Sequence, residues 1–215
     1  MVESLNIAVA KGRLVRDTLK LFNEIGIRFP DFHPDSRKLI FEDPENKIRI
    51  VLVKANDVAT YVERGAADLG VLGKDTLIES GANVFEVIDL GFGRCRFVVA
   101  GLDYADLEKN KVVVATKYPR VTEKYFRDTD RLIETVYLHG SVELAPLVGL
   151  SDCIVDIVET GRTLKDNGLK VLEEISDISA RLIVNKASFK TKHDEIDAFI
   201  HKVQEVVSRK GVMDE

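Results

Sequence analysis

The feature that most constrains the fold is an alternation of short apolar runs with longer amphipathic segments. Runs such as LNIAVA at residues 5–10 and CIVDIV at residues 153–158 have the length and composition of buried strands. Between such runs, apolar residues recur at helical spacing, as at Leu14, Leu21 and Ile25. Strands that alternate with helices favour a mainly parallel sheet covered on both faces. The pattern therefore predicts an α/β protein.

The number of strand candidates predicts two lobes. The candidates lie at residues 5–10, 37–42, 48–53, 67–72, 84–90, 96–101, 111–116, 133–138, 153–158, 171–175 and 180–184. About ten strands exceed what one compact sheet of this size usually holds, so two α/β lobes with a central cleft are expected. A last amphipathic helix, at residues 192–209, needs a sheet to cover. We assign residues 1–93 and 186–215 to lobe I, and residues 94–185 to lobe II.

Composition excludes several classes of function. The chain has 31 Lys and Arg against 36 Asp and Glu, a net charge of −5, and no basic block, so nucleic-acid binding is not expected. A locally basic pocket for a small anion remains compatible with this charge. Cys95 and Cys153 form neither a CxxC pair nor a secreted disulfide framework. Without signal-peptide features or a run of about 18 apolar residues, a cytoplasmic protein with no membrane anchor is expected.

The most informative segment is DCIVDIVETGRTL, residues 152–164. It predicts a buried strand that ends in a carboxylate, a turn, and the start of a helix with backbone N–H groups directed at the turn. Such a turn can bind an anion, because Gly161 permits close backbone approach while Thr160, Arg162 and Thr163 add donors. Carboxylates at Asp156 and Glu159 suit ribose hydroxyls or a metal ion. Alternatively, a threonine merely caps the helix and Gly161 merely turns the chain.

Two further segments carry candidate site residues. Lys11, Gly12 and Arg13 follow the first strand, where ligand crevices of open α/β sheets form, although a solvated loop is the alternative. Glu143 lies near a predicted helix start, where a carboxylate also favours the helix dipole. The four histidines have no metal-ligand spacing, and no Walker A or Rossmann glycine pattern occurs.

Five segments, taken in order, resemble the catalytic subunit of ATP phosphoribosyltransferase. They are AKGRL (10–14), ADLGVLGKD (67–75), ATKYP (115–119), GSVELAP (140–146) and DIVETGRTL (156–164). The resemblance covers nearly the whole chain, and the last segment is its most specific part. It implies two lobes that resemble type II periplasmic binding proteins, with the substrates in the cleft.

The resemblance also implies an activity. The family joins ATP to phosphoribosyl pyrophosphate with magnesium, giving phosphoribosyl-ATP and pyrophosphate in the first step of histidine biosynthesis. By resemblance, the residues that hold phosphoribosyl pyrophosphate are Glu143, Asp156, Glu159, Thr160, Gly161, Arg162 and Thr163. Those on the ATP side are Lys11, Gly12, Arg13, Lys54 and Asp75, with Lys54 standing where many members carry arginine.

For catalysis, the same resemblance suggests Lys11, Arg13 and Asp156. Adenine N1 already carries a lone pair, so most catalytic help should go to positioning and to the leaving pyrophosphate. Lys11, Arg13 and magnesium suit that charge, while Asp156 or Glu159 could stabilise an oxocarbenium-like transition state. No general base and no metal ligand are assigned.

Partners follow from the resemblance too. The chain is similar to short members of the family, which work with a separate regulatory subunit similar to histidyl-tRNA synthetase, so homo-oligomers and hetero-oligomers are expected. The alternative is a non-enzymatic receptor or sensor for a small ligand on the same two-lobe fold, because fold alone does not define function. The missing signal peptide and DNA-binding extension argue against it.

Overall fold

The computed structural model describes residues 4–213, which form two compact units. One unit comprises the residues up to Gly93 and those from Ser179 onward, and the other is Arg94–Ile178. The strands are β1 (Leu5–Ala10), β2 (Ile40–Asp43), β3 (Ile48–Val53), β4 (Leu69–Gly73), β5 (Phe85–Asp89), β6 (Cys95–Gly101), β7 (Val112–Thr116), β8 (Ile133–Tyr137), β9 (Cys153–Val158), β10 (Lys170–Ile178) and β11 (Ala180–Val184). The helices are α1 (Arg13–Glu24), α2 (Ala55–Glu63), α3 (Lys74–Ser80), α4 (Pro119–Asp128), α5 (Leu144–Leu147), α6 (Arg162–Asp166), α7 (Ser188–Thr191) and α8 (His193–Met213), with a 3₁₀ helix at Tyr104–Glu108.

The first unit is built on a six-stranded sheet with the order β2-β3-β1-β4-β11-β5. Strand β1 pairs in parallel with β3 and β4, while β2 and β11 run antiparallel to their neighbours. The period-2 alternation of β1 divides its side chains between two cores: Ile7 and Val9 join one buried cluster, and Ala8 and Ala10 join another. Helix α8 contributes Phe199 to the first of these cores.

The second unit is built on a five-stranded sheet with the order β10-β6-β9-β7-β8. Strands β7, β8 and β9 are parallel, whereas β6 runs antiparallel to both β9 and β10. Here Phe97 and Val99 face one buried cluster, and Val98 and Ala100 face the other. Both faces of each sheet are therefore covered, as the apolar runs predict.

The predicted α/β class and the division into two sheets are confirmed, but three boundaries are wrong. The predicted return to lobe I after residue 185 is too late, because β11 pairs with β4 and β5 of the first sheet. Strand β10 extends to Ile178, beyond the predicted 171–175, since two register shifts break its alternation. Strand β2 begins at Ile40 rather than residue 37. Within residues 4–213, no helix is long and apolar enough to cross a membrane.

Candidate functional site

The loop after β9 adopts a glycine-dependent turn. Gly161 has a φ of +75°, in the left-handed region, and immediately precedes α6. The backbone N–H of Arg162 lies 3.4 Å from Thr160 Oγ1. The N–H groups of Gly161 and Thr163 donate to no other residue in the described part of the chain. Since α6 has only five residues, the donors of the turn itself, rather than a long helix dipole, are what this loop offers to an anion.

The carboxylates near this loop differ in their placement. Asp156 lies inside β9, within the predicted strand 153–158, and is half-buried opposite Val98. Its Oδ1 accepts the backbone N–H of Ile157 at 2.8 Å. Glu159 follows the strand and is exposed. Glu143 is half-buried and directly precedes α5, as predicted.

The topology of the second sheet brings these residues to one edge. Because β7, β8 and β9 are parallel, the loops that follow them emerge at the same edge of the sheet. Val142, beside Glu143, and Leu164, on α6, also belong to one buried cluster. The predicted phosphoribosyl pyrophosphate residues therefore lie in one unit, on the segments that follow β8 and β9 and, for Asp156, within β9 itself.

The predicted ATP-side residues are gathered in the same way in the first unit. The parallel strands β3, β1 and β4 are followed by Lys54, by Lys11 to Arg13, and by Asp75. Gly12 has a φ of +99°, which requires glycine, although a Cβ at this position would meet no atom within 4 Å. Asp75 folds back over the strand end, so that its Oδ1 occupies the space that a Cβ on Gly73 would need.

A cavity of about 980 Å³ opens beside the loop after β1. Its charged lining residues are six cations and one acid, counted over the described residues: Lys11, Arg13, Arg16, Lys20, Arg37, Lys38 and Asp17. Lys11, Arg16 and Arg37 form no ion pair with any residue of the described chain. Clustered cations without anionic partners repel one another, so the cavity is prepared for an anion. Lys54 and Asp75 do not line it.

Four of these cations were not predicted from the sequence. Arg16 and Lys20 follow Arg13 at intervals of three and four residues, which places all three on one face of α1. That spacing was the available signal. Arg37 and Lys38 lie in the segment before β2, which the pattern assigned to a strand. Instead, this segment forms the other wall of the cavity.

The two cysteines differ in burial, and the buried one is a poor candidate nucleophile. Both are free thiols, with Cys95 half-buried and Cys153 buried. Burial raises the pKa of Cys153 to about 12, so its thiolate is scarce at neutral pH. Among residues 4–213, no three His, Cys, Asp or Glu side chains are grouped so as to hold a metal ion.

The fold and these loops define a class: a two-unit α/β protein of the kind found among solute-binding proteins. The periplasmic aliphatic sulphonate-binding protein SsuA of Escherichia coli is similar in fold, with a TM-score of 0.60 and 17% identity over 100% of this chain and 71% of that chain. A likeness at that identity concerns the fold alone.

Sequence relatives define the family. The family HisG, described as ATP phosphoribosyltransferase, matches residues 54–205. The ATP phosphoribosyltransferases of Syntrophotalea carbinolica and Clostridioides difficile are 50% and 52% identical, over 97% and 95% of this chain and 97% and 99% of their own. The ATP phosphoribosyl transferase (HisG:HisZ) complex from Thermotoga maritima contains a chain with a TM-score of 0.82 and 36% identity, over 95% of this chain and 99% of that chain. The chain belongs to the ATP phosphoribosyltransferase family, which confirms the resemblance.

Proposed function

We propose that the protein transfers the phosphoribosyl group of phosphoribosyl pyrophosphate to N1 of the adenine of ATP, giving phosphoribosyl-ATP and pyrophosphate. This reaction is the first step of histidine biosynthesis. The observation that carries the proposal, beyond family membership, is the cavity beside Lys11 and Arg13, which six cations and one acid line and where Lys11, Arg16 and Arg37 form no ion pair with a described residue. Both substrates and both products are polyanions, so a surface with this charge suits them.

The loop after β9 is proposed to hold the 5′-phosphate and the ribose. Backbone N–H groups of Gly161 and Thr163 lack protein acceptors among the described residues, and Thr160 and Arg162 lie beside them near the surface. A phosphate can accept hydrogen bonds from several such donors at once. The carboxylates of Glu143, Asp156 and Glu159 suit the ribose hydroxyls.

The loop after β1 and the cavity are proposed to act on ATP and on the departing pyrophosphate. Lys11 and Arg13 would stabilise the negative charge that develops on the leaving group. Arg37 and Lys38 extend this positive surface from the opposite wall of the cavity. Lys54 and Asp75 would contact ATP outside the cavity, at the ends of β3 and β4.

The chemistry needs positioning more than proton transfer. Adenine N1 attacks the anomeric carbon with its own lone pair while the bond to pyrophosphate breaks, so no general base is required. Asp156, half-buried in β9, would stabilise positive charge on the ribose ring in the transition state. Magnesium, when bound, neutralises phosphate charge. Because Mg²⁺ commonly binds through one or two carboxylates and substrate phosphates, Asp156 and Glu159 fit this role without a larger protein cluster.

Partners and location are part of the proposal. The chain matches its relatives over nearly their full lengths, and the solved Thermotoga maritima chain is part of a HisG:HisZ complex. We infer that this chain is a short-form catalytic subunit, which binds a HisZ-like regulatory subunit similar to histidyl-tRNA synthetase and also self-associates. A cytoplasmic location suits both substrates, which are intracellular metabolites. A non-enzymatic receptor has only the fold in its favour.

A double variant and a matched control test whether the cavity binds ATP and pyrophosphate rather than the ribose 5-phosphate end of the other substrate. Replacing Arg37 and Lys38 with Ala should weaken binding of ATP and pyrophosphate by roughly tenfold or more, because charged contacts of about 1.5–3 kcal/mol each are lost. Binding of the ribose 5-phosphate end, measured with ribose 5-phosphate itself, should change less than twofold. The matched control is Arg64→Ala with Lys190→Ala, two cations of the same unit that do not line the cavity. Equal losses in both double variants would refute a specific role for the cavity.

A further inference from the structure

Five residues of the first unit form a closed ring of hydrogen bonds and ion pairs. The members of this ring, called here the Arg181 ring, are Lys74, Glu86, Asp89, Ser179 and Arg181. They come from the start of α3, from β5, and from β11 with the residue before it. None of them is among the site residues that the sequence or the family resemblance indicates.

Each link of the ring joins two neighbouring members. The backbone N–H of Lys74 donates to Ser179 O at 2.9 Å, and Ser179 Oγ donates to Asp89 Oδ1 at 2.6 Å. Asp89 also forms an ion pair with Arg181.

The remaining links return to Lys74. Arg181 Nε lies 3.2 Å from Glu86 Oε1, as an ion-pair contact rather than a hydrogen bond. The other carboxylate oxygen of Glu86 pairs with Lys74 Nζ, which closes the ring. Lys74 is therefore held twice, through its backbone and through its side chain.

Arg181 is the least solvated charge in the ring. Its side chain is 16% exposed, compared with 34% for Glu86 and 50% for Asp89. Burial alone would raise the pKa of Asp89, but hydrogen bonds from Ser179 and Gly91 and the charge of Arg181 outweigh it and lower that pKa. Arg181 pairs with both carboxylates, and its removal would leave Lys74 as the remaining cation of the ring.

The ring leads to a residue of the proposed ATP side. Lys74 is the first residue of α3, and Asp75 is the next. The carboxylate of Asp75 lies against the backbone of Gly73, so its position depends on where the chain turns from β4 into α3. Because the ring fixes Lys74 at two points, it also fixes the backbone from which Asp75 projects.

An ion pair that served only to join two strands would not need to extend to a third element. Asp89 and Arg181 already join β5 to β11, which are paired strands. The continuation through Glu86 to Lys74 reaches a third element, α3, that carries Asp75. This continuation connects the strand edge to the substrate side.

We propose that Arg181 is a positioning residue for ATP, which acts through Glu86 and Lys74 to hold Asp75 in its binding geometry. This inference rests on the proposed function, since it takes Asp75 as an ATP-side residue. Small displacements of a contact group are costly in preorganised sites. Loosening the ring should therefore weaken ATP binding selectively.

The test compares dissociation constants for ATP and for phosphoribosyl pyrophosphate, by equilibrium titration of the full chain. Arg181→Met should weaken ATP binding by roughly tenfold, since misplacement by about 1 Å can cost up to 100-fold, and should change phosphoribosyl pyrophosphate binding less than twofold. Arg181→Lys keeps the positive charge but loses the planar guanidinium that can contact two carboxylates, so it should recover part of the ATP affinity that Arg181→Met loses. The matched control is Arg49→Met, which breaks the Arg49–Glu42 pair between β3 and β2 of the same sheet.

Glu86→Gln is the second variant, because it removes the ion pairs through which Arg181 reaches Lys74. It should weaken ATP binding by a few-fold and carries the test if Arg181→Met does not fold. Unchanged ATP binding in both variants, or equal losses for both substrates together with a lower melting temperature, would overturn the positioning role. Failure of the unaltered chain to bind ATP at all would instead refute the proposed function, and the inference with it.

Discussion

Thr160 and Arg162 are linked across Gly161, with the backbone N–H of Arg162 lying 3.4 Å from Thr160 Oγ1. Gly161 can occupy this position because its φ of +75° costs it nothing, whereas a residue with a Cβ is destabilised by about 1–2 kcal/mol in the left-handed region. The Cβ itself would meet Val158 Cγ1 at 3.7 Å, an ordinary contact. The constraint on this loop is therefore conformational rather than steric.

Gly161→Val should accordingly impair the loop as an anion site. The substitution turns backbone donors away from the phosphate, so we expect catalytic efficiency with phosphoribosyl pyrophosphate to fall by roughly 10- to 1,000-fold, with a raised Michaelis constant. Steady-state kinetics at saturating ATP measure this effect.

Gly168 provides the matched control for that variant. It lies at the other end of α6 with a φ of +73° and has no atom within 4 Å of its Cβ position, so Gly168→Val imposes the same backbone strain away from the loop. Similar kinetic losses in both variants would mean that strain in the unit, and not the phosphate loop, is responsible.

Replacing Lys11 and Arg13 together with Ala should weaken binding of ATP or pyrophosphate while leaving stability almost unchanged. Both side chains are exposed, and substitutions at such positions usually change the free energy of unfolding by less than about 1 kcal/mol. Isothermal titration and thermal melting measure the two quantities. If the affinity for both ligands is unaltered, the segment from Lys11 to Arg13 is a solvated loop with no role in binding.

Glu173 should make the free energy of unfolding depend on pH in the acid range. It accepts hydrogen bonds from Tyr104, Tyr125 and both terminal nitrogens of Arg131, at 2.7 to 3.1 Å. Burial would raise its pKa, but the hydrogen bonds from Arg131 and Tyr125 and the charge of Arg131 lower it below 4.5. We expect Glu173→Gln to cost about 2–3 kcal/mol of unfolding free energy at pH 7.

The sign of that dependence follows from the lowered pKa. The stabilisation by Glu173 is complete above its pKa in the unfolded chain, near 4.5, and is lost as pH falls through its lower pKa in the folded protein. The difference in unfolding free energy between the unaltered protein and Glu173→Gln should therefore shrink below about pH 4.5. Urea unfolding at several pH values measures it. Glu134→Gln, which breaks an exposed pair with Lys111 in the same unit, should show little loss and little slope. A constant difference down to about pH 3 would contradict the assignment.

Much of the fold was predictable because burial imposes a simple pattern. In β1, β9 and β11, nearly continuous apolar runs reveal a strand covered on both faces. The predicted end of β10 at residue 175 is too early because register shifts between Val171 and Glu173 and between Glu174 and Ser176 break the alternation of this strand. Periodicity also carries no information on strand partners, so the place of β11 in the first sheet could not be predicted.

The two parts of the site were not equally visible in the sequence. The loop around Gly161 is contiguous, so its glycine, hydroxyls and strand are seen together. The cavity is assembled from α1 and from the segment before β2, which meet only in the folded unit. From residue type alone, Arg16 and Arg37 are expected to be ordinary surface residues. Their role depends on contact between segments that are distant in the sequence, which local patterns do not record.

A HisZ-like subunit should change the activity of this chain. Feedback requires a coupling free energy between two sites, typically about 1–3 kcal/mol, or roughly 5- to 150-fold. We expect the purified chain alone to be weakly active and unresponsive to histidine, and the added subunit to raise turnover and to confer inhibition by histidine. Initial rates with and without the subunit measure both effects. Full, histidine-inhibited activity from the chain alone would contradict this prediction.

The most direct measurement mixes the chain, together with a HisZ-like subunit, with ATP, phosphoribosyl pyrophosphate and magnesium. The changed adenine absorbance follows the reaction, and mass spectrometry identifies the product. The proposed function predicts phosphoribosyl-ATP and pyrophosphate in equal amounts, with Gly161→Val strongly impaired and Gly168→Val active. Absence of phosphoribosyl-ATP from a folded complex that binds both substrates would contradict it.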